Sequence, residues 1–319
     1  MKLFKFVASL LCAIAGAASA QSYPVKPIVM IVPFAPGGGV DTMARLIAQP
    51  LSQRLGQPIV IDNRGGAGGN IGTEAAARAR PDGYTIVMGS VSPNAVNTHL
   101  YSRLGFDPIK DFEPIVYVST VPNILVVAAN SPIKTAKDLV DAARAAPGRY
   151  TYGSAGVGSS QHLAAAILGT VTGTSLMHVP YKGAGIAQQD LLAGHISFMI
   201  DTTGPIAFVQ SGRMRALAVA SKTRSPALPN VPTFDEAGIP GVYSSAWYGL
   251  MAPAGTPREV VSRLNAEANA VLRDPEMKKR LAALGADMGG GTPEEFGKFV
   301  ASEVARYADV VKASGAKLD

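Results

Sequence analysis

The chain has 319 residues, with 29 lysines and arginines against 23 aspartates and glutamates and a formal net charge of +6. The basic excess is mild and unclustered, which excludes a nucleic-acid-binding face and is compatible with a small anionic ligand. The length is too great for one small core and suits two lobes, and the composition is that of an ordinary globular protein.

Residues 1–20 have the pattern of a secretory signal peptide. Lys2 and Lys5 precede a short apolar core, and Ala18-Ser19-Ala20 is a small-residue cleavage site. The core is too short to span a bilayer comfortably, and Cys12 lacks the preceding small residue of a lipidated cysteine. We therefore expect a soluble, periplasmic mature chain, cleaved after Ala20, with no cysteine and hence no disulfide or thiol chemistry.

The first elements of the mature chain are a strand and a glycine loop. Residues 28–32 form an apolar, β-branched run, and Pro33 ends it because proline has no N–H to donate. Glycines at 37–39 precede a helical apolar stripe over 42–51. Free N–H groups at a helix start favour an anion, so we expect the loop to bind a carboxylate. The alternative is an ordinary βα turn; the nucleotide fingerprint G-x-G-x-x-G is absent.

A second strand and glycine loop follow at 58–63 and 64–72, before a predicted helix at 73–79. The glycine spacing again fails the dinucleotide pattern. We interpret this loop as structural, packed tightly on its helix, in preference to a direct ligand role.

Polar side chains follow the third predicted strand, 84–89. Ser90, Ser92 and Asn94 come directly after it, at the strand end where open α/β sheets bind their ligands. The alternative is that Ser90 and Ser92 cap the next helix, and the two roles are compatible.

The second half of the chain repeats the strand–loop–helix design. The strand at 123–129 is expected to cross into another lobe, and Thr135 to cap the helix that follows. Residues 150–163 then form a strand, a Gly/Ser loop and a helix capped by Ser159 or Ser160. Two loops of one design in two halves could grip an anion from opposite sides of a cleft.

The same region raises the question of a nucleophile. Ser154, Ser159 and Ser160 lie near His162, but none has the G-x-S-x-G context, and His162 is better explained as a hydrogen-bonding prop for the loop. The four histidines show no zinc-ligand spacing, and no carboxylate pair suggests an acid and a base. The sequence therefore predicts no catalytic residues, no metal and no cofactor.

Two further positions face the predicted cleft. Tyr181 follows a strand and is a candidate lining residue, whereas Lys182 beside it either pairs with a carboxylate or is simply exposed. Asp201 ends the strand predicted at 196–200, where it would repel an anion unless the ligand carries a donor or Asp201 caps the helix at Pro205.

The C-terminal part returns the chain to the first lobe. Residues 223–240 form a connector, 247–252 a strand, and helices begin at Pro257, Pro275 and Pro293. The alternation of strands and helices predicts an α/β protein with mostly parallel sheets.

With these motifs in hand, the chain resembles the Bug (TctC-type) extracytoplasmic solute receptors of tripartite tricarboxylate transport systems. The resemblance covers essentially the whole mature chain, in order. It is carried by Val32–Gly38 with Asp41 and Ala44-Arg45, Asn63-Arg64 with Gly65–Gly72, Pro81–Tyr84, Gly153–Ser159 with His162-Leu163, Val179–Gly183, and Trp247–Gly249 with Ala252-Pro253.

The resemblance implies an α/β fold of the periplasmic-binding-protein type II-like class, with two lobes and a ligand cleft between them. It places lobe 1 at 21–121 and 246–319 and lobe 2 at 122–245, with hinges near Val121 and Ser245. It also implies a set of ligand-binding positions: Phe34, Ala35, Pro36, Gly38, Gly39, Ser90, Ser92, Asn94, Ser154, Ala155, Gly156, Gly158, Ser159, Tyr181 and Asp201.

The function implied is capture of a small organic carboxylate, a di- or tricarboxylate or an aromatic acid, by closure of the lobes. A monomer would deliver it to integral membrane transporter subunits. The alternatives are a sensor that presents its closed form to a signalling kinase, and a serine hydrolase using Ser159 and His162. In receptors of this family for amino acids, an acidic residue near Asp201 can meet an ammonium group.

Overall fold

The computed structural model describes residues 23–314, and the predicted signal peptide with its cleavage site lies outside them. The strands form two sheets. The six-stranded sheet has the order β2-β1-β3-β10-β4-β11, and the five-stranded sheet the order β7-β6-β8-β5-β9. The strands are β1 (Ile28–Val32), β2 (Ile59–Asn63), β3 (Thr85–Ser90), β4 (Phe112–Pro122), β5 (Ile124–Ala128), β6 (Thr151–Ser154), β7 (Met177–Pro180), β8 (Phe198–Asp201), β9 (Met214–Val219), β10 (Ser245–Pro253) and β11 (Asp287–Gly290).

Helices join most of these strands. They are α1 (Gly39–Leu55), α2 (Asn70–Ala77), α3 (Asn97–Leu100), α4 (Ala136–Ala145), α5 (Ser160–Thr172), α6 (Ala184–Ala193), α7 (Gly204–Gln210), α8 (Arg258–Arg273), α9 (Pro275–Ala283) and α10 (Pro293–Ser314). A π-helical turn, Ser92–Val96, leads into α3. We call the six-stranded sheet with its helices the first lobe and the five-stranded sheet with its helices the second lobe.

The two sheets share one arrangement of five strands, and the first lobe's sheet has β11 as an additional edge strand. In the first lobe, β10 arrives from the second lobe and lies between β3 and β4. In the second lobe, β5 arrives from the first lobe and lies between β8 and β9. The inserted strands pair antiparallel with their neighbours, whereas β1, β2 and β3, and likewise β6, β7 and β8, pair in parallel. Eight of the eleven described strands therefore run in one direction within their sheet, as predicted, whereas β5, β10 and β11 run against it and make both sheets mixed.

The helix boundaries show where local chemistry acted. Thr135 caps α4 as predicted, in a capping box with Asp138, and Ser159 rather than Ser160 caps α5. α1 begins at Gly39, three residues before the predicted start, because Gly39, Val40 and Asp41 belong to its first turn and Gly38 is the N-cap. The short strand β11 was not predicted, since Asp287–Gly290 carries little β-branched character.

The buried apolar side chains form three clusters. One fills the first lobe around β1, β3 and β10, and the other two cover the two faces of the second lobe's sheet. Phe34 belongs to a second-lobe cluster, together with Ala184 and Met199, although it follows β1 of the first lobe. The aromatic ring of the loop after β1 thus packs against the opposite lobe.

The chain passes between the lobes twice, side by side. Asn123 separates β4 from β5, and its N–H donates to the carbonyl of Ser244, just before β10. The separation of the strands into two sheets supports lobe boundaries near Val121 and Ser245, which remain a prediction.

Candidate functional site

A small cavity lies between the lobes, at the carboxyl ends of β1, β3 and β6. Its volume is about 20 Å³, roughly the space of one water molecule. Open α/β sheets bind their ligands at this edge. The lining residues are Phe34, Gly38, Gly39, Val40, Ser90, Val91, Ser92, Ala155, Ser160, Gln161, Ala184, Ala246 and Tyr248.

Four helix starts converge on this cavity. Gly38 and Gly39 begin α1, Ser92 begins the π-helical turn, Ser160 and Gln161 begin α5, and Ala184 begins α6. N–H groups in the first turn of a helix have no partner within it, and the helix dipole adds partial positive charge there. The cavity therefore has an anion-binding character without a lysine, arginine or histidine among its described lining residues.

The start of α1, like that of α6, has no side-chain cap. Its N-cap is Gly38, which has no side chain to accept them, and the first helical bond runs from Thr42 N to the Gly38 carbonyl over 2.9 Å. The N–H groups of Gly39, Val40 and Asp41 precede that bond and are available to a ligand. A Cβ atom at Gly39 would clash with Thr202 of the second lobe and with Tyr248, so only glycine fits here.

Hydroxyl groups complete the polar lining. Ser90 Oγ is buried and has no hydrogen-bond partner among the described residues, an unusual state for a buried polar atom. The hydroxyls of Tyr248 and Thr202 lie 3.1 Å apart and join the first lobe to the second, and burial raises the pKa of Tyr248 well above its usual range. Ser90 is thus ready to bond to a ligand, whereas Tyr248 already has a partner.

The loop after β1 is held by a buried carboxylate. Asp41 accepts hydrogen bonds from Gly37 N, Arg45 Nε and Asn63 Nδ2, each at 2.9–3.0 Å. Burial opposes ionisation of Asp41, but the bonds from Arg45, Gly37 and Asn63 outweigh it and lower the pKa of the carboxyl. Asn63 also donates to the Phe34 carbonyl at 3.0 Å, so β2 fixes both ends of the loop.

The loop after β6 is held by histidines. His178 Nε2 lies 2.6 Å from Ser154 Oγ, Gly158 N donates to His162 Nδ1 at 3.2 Å, and the two imidazoles stack with centroids 4.2 Å apart. Burial lowers the pKa of His162 to about 4, and burial together with the charge of His162 lowers that of His178 to about 3. Both rings are therefore neutral near pH 7. His162 props the loop as predicted, but the histidine bonded to Ser154 is His178, from the neighbouring strand β7.

Asp201 is fully buried and bound by amides. Its carboxylate accepts from Gln161 Nε2 at 2.9 Å, Gln188 Nε2 at 2.8 Å and Thr202 N at 2.7 Å. It does not cap α7, whose N-cap is Thr203 without a side-chain bond, so that interpretation was wrong. Asp201 instead orients Gln161, which lines the cavity.

The structure brings part of the predicted site together. Phe34, Gly38, Gly39, Ser90, Ser92 and Ala155 line the cavity. The other predicted positions are not among its lining residues: Ala35, Pro36, Asn94, Ser154, Gly156, Gly158, Ser159, Tyr181 and Asp201.

Several of the predicted residues outside the lining have other hydrogen-bond partners. The Tyr181 hydroxyl donates to Asp190 at 2.6 Å, Asn94 accepts from Ser90 N at 3.1 Å, and Ser159 caps α5. Ser90 and Ser92 do not act as side-chain caps. Lys182 is exposed, and its carbonyl accepts a bond from Ala35 N across the lobes at 3.3 Å.

The predicted site left out seven lining residues: Val40, Val91, Ser160, Gln161, Ala184, Ala246 and Tyr248. Tyr248 is the clearest case. It pairs with Ser90 on one side and Ser119 on the other, which places three polar residues in one row across β3, β10 and β4. Strand order alone creates this row, and the only local signal was a tyrosine in an otherwise apolar strand.

The second glycine loop lies against the opposite lobe. A side chain at Gly68 would collide with the Val157 carbonyl, and one at Gly65 with the Lys182 carbonyl. Its role is close packing, as predicted, but against the second lobe rather than only against its own helix.

The geometry does not form the Ser159–His162 pair that the hydrolase alternative requires. Ser159 Oγ accepts from the backbone N–H of His162 rather than from its ring. No described carboxylate is hydrogen-bonded to His162 or His178. Within residues 23–314 there is no cluster of three or more potential metal ligands, and no helix there is long and apolar enough to cross a membrane.

Fold and site together define a two-lobed binding protein with its cavity between the lobes. The family described as "Tripartite tricarboxylate transporter family receptor" (TctC) matches residues 43–316. The chain belongs to this family of solute receptors, as the sequence motifs suggested.

Two relatives resemble most of the chain. A UPF0065 protein from the tcbD-tcbE intergenic region of Pseudomonas sp. (strain P51) is 42% identical, covering 91% of this chain and 87% of that protein. Protein BugT of Bordetella pertussis is 39% identical, covering 96% and 94%.

Three solved structures share the fold. A periplasmic transporter is 44% identical, with a TM-score of 0.89 over 93% of this chain and 100% of that one. An R. palustris protein with adipate is 38% identical, with a TM-score of 0.89 over 93% and 100%. MatC from Rhodopseudomonas palustris with bound malate is 33% identical, with a TM-score of 0.85 over 91% and 100%.

Proposed function

We propose that this protein is a periplasmic receptor that captures a small organic dicarboxylate between its lobes and delivers it to a tripartite tricarboxylate-type membrane transporter. The observation that carries the proposal is the convergence of four helix starts on one cavity, beside the unpartnered hydroxyl of Ser90. The neighbours solved with adipate and malate support this ligand class.

The binding chemistry follows from the lining. One carboxylate accepts from the N–H groups of Gly39 and Val40 at the start of α1 and from Ser90 Oγ. Charge-assisted bonds to an anion are about twice as strong as neutral ones, and burial between the lobes excludes the water that would compete. The starts of α5 and α6 meet the other end of the ligand from the second lobe.

Lobe movement is part of the proposal. A cavity of about 20 Å³ is far smaller than a dicarboxylate, so the lobes must separate for the ligand to enter. Rotation about the crossings at Asn123 and Ser244 opens the cleft while each sheet stays rigid. The ligand then stabilises a closed form that the membrane subunits can distinguish from the open one.

The test is calorimetric titration and thermal shift with malate, adipate and citrate, with adipamide as the uncharged control. A ligand present at one hundred times its Kd should stabilise the fold by about 2.7 kcal/mol. Equal shifts with acids and diamide, or no shift with any carboxylate, would contradict the proposal.

A variant pair locates the site. Ser90→Ala should weaken binding by about five-fold, because the carboxylate loses one hydroxyl donor worth about 1 kcal/mol. Ser302→Ala, on the exposed face of α10, is the matched control and should not change the affinity. Transport is tested separately, by uptake into vesicles that contain the membrane subunits, with and without the receptor.

A further inference from the structure

A much larger cavity lies at the junction of the two lobes where the chain crosses between them. Its volume is about 680 Å³, within the range of small-molecule sites and far above that of the cleft. We call it the hinge groove. Its lining includes Thr120 and Pro122 at the end of β4, and Ser244 and Ser245 at the start of β10.

The walls of the hinge groove are apolar. Ile167 and Val171 on α5 form one wall, and Tyr307 and Val310 on α10 form the other. Val171 is 44% exposed beside these apolar groups. A ligand with an apolar body would remove this surface from water.

The rim of the groove is basic. Arg224 and Arg306 line it but are already paired with Glu236 and Glu303. Lys222 also lines it and forms no ion pair with any described residue. Among the described lining residues the acidic member is Asp287 alone, so Lys222 is the lining cation that remains for an anionic group.

A buried hydroxyl marks where the lobes meet in this groove. Ser225 is 2% exposed, and its Oγ has no hydrogen-bond partner among residues 23–314. A Cβ atom at Gly285 would lie 2.5 Å from that Oγ, so Ser225 of the second lobe packs against the loop after α9 of the first. An unpaired buried polar group is costly and indicates a position that a ligand can satisfy.

We propose that the hinge groove is a second ligand site, which takes a small amphipathic organic anion with an apolar body between α5 and α10 and its charged group at Lys222. It is distinct from the cleft, since the two cavities share no lining residue.

Binding in the groove is coupled to the cleft. Its walls belong to different lobes, so the spacing of α5 and α10 depends on the angle between the lobes. A ligand that fits the groove at the present lobe angle favours that angle. The cleft at this angle, about 20 Å³, is too small for a dicarboxylate, so a ligand in the cleft favours a wider angle. Thermodynamic linkage then requires each ligand to lower the affinity of the other by the same factor. This coupling rests on the proposed function, whereas the site itself does not.

The probe is 1-anilinonaphthalene-8-sulfonate, an amphipathic anion whose fluorescence rises in apolar surroundings. We expect one saturable site on the wild-type protein. Val171→Glu should weaken it at least ten-fold, by placing a carboxylate on the apolar wall, and Lys222→Gln about three-fold or more. Ile186→Glu on α6, 45% exposed and outside the groove, and Lys278→Gln on α9 are the matched controls.

Equal probe affinity in Val171→Glu and in the Ile186→Glu control would overturn the site. Unfolding is monitored by near-UV circular dichroism, and probe binding that occurs only when the protein unfolds would also overturn the site. The coupling is then tested by titrating the probe with and without malate or adipate. If these acids bind and the probe affinity stays within two-fold, the coupling is overturned. If no carboxylate binds at all, the proposed function fails, while the variant titrations still decide the groove.

Discussion

Two loops of the same design face each other across the cleft, and they are built differently. The loop after β1 caps its helix with Gly38 and is held from behind by the carboxylate of Asp41. The loop after β6 caps its helix with the side chain of Ser159 and is held by two stacked, neutral imidazoles. The first loop therefore leaves the N–H groups at its helix start free for an anion. In the second loop, the Ser159 side chain already binds one of these N–H groups, that of His162.

The largest effect is expected at Gly39, where the first loop touches the second lobe. Gly39→Ala should weaken malate or adipate binding by at least about 100-fold, because its Cβ would clash with Thr202 and Tyr248 when the lobes meet. Calorimetric titration measures this. Gly38→Ala is the matched control, since its Cβ would lie 3.5 Å from Ala184, an ordinary contact. Similar losses of affinity in both variants would show that Gly39 does not lie in close contact with Thr202 and Tyr248 when the ligand is bound.

The next effect tests how the first loop is anchored. Asp41→Ala should lower the free energy of unfolding by about 2–3 kcal/mol, because it leaves Gly37 N and Asn63 Nδ2 without their acceptor. Arg45→Ala should cost less than about 1 kcal/mol, since that side chain is half exposed. Urea unfolding gives both values. A larger cost for Arg45→Ala would mean that the ion pair, not the acceptor role, holds the loop.

The anchor of the second loop should respond to pH. The unfolded chain protonates His162 and His178 near pH 6.5, whereas burial keeps them neutral in the folded protein to about 4 and about 3. Their stabilising contribution is therefore full above pH 6.5 and declines as the pH falls towards 4. The slope is at most about 1.4 kcal/mol per pH unit for each ring.

Urea unfolding between about pH 7 and pH 5 measures that slope. His178→Gln should reduce it by about half, and His195→Gln, whose ring is exposed, should leave it unchanged. An identical slope in all three proteins would exclude the imidazole stack as the source.

The smallest effect concerns the cap itself. Ser159→Ala should destabilise the fold by about 1 kcal/mol, because His162 N loses its acceptor, and Ser159→Gly by only a few tenths. Thermal unfolding of the two variants separates them. Equal losses would indicate that the serine hydroxyl acts through something other than helix capping.

Local sequence patterns determined much of the secondary structure of this protein. Apolar runs bounded by proline and glycine located the strands around the site, and Thr135 and Ser159 capped the helices predicted for them. The helix starts that give the cavity its preference for anions were visible in the sequence as strand–glycine–helix motifs. They were visible because helix capping and the spacing of apolar residues depend on residues that are close together in the chain.

Only the tertiary structure decided which of these residues meet. The crossing strands introduced two antiparallel pairings into each sheet and placed Tyr248 between Ser90 and Ser119. Lobe packing formed the hinge groove from segments far apart in the chain. His178 holds Ser154, and Asp201 binds Gln161 and Gln188, across strands and helices that no local spacing relates. Such contacts depend on strand order and lobe packing, which are set by the burial of the whole chain and not by any one stretch of it.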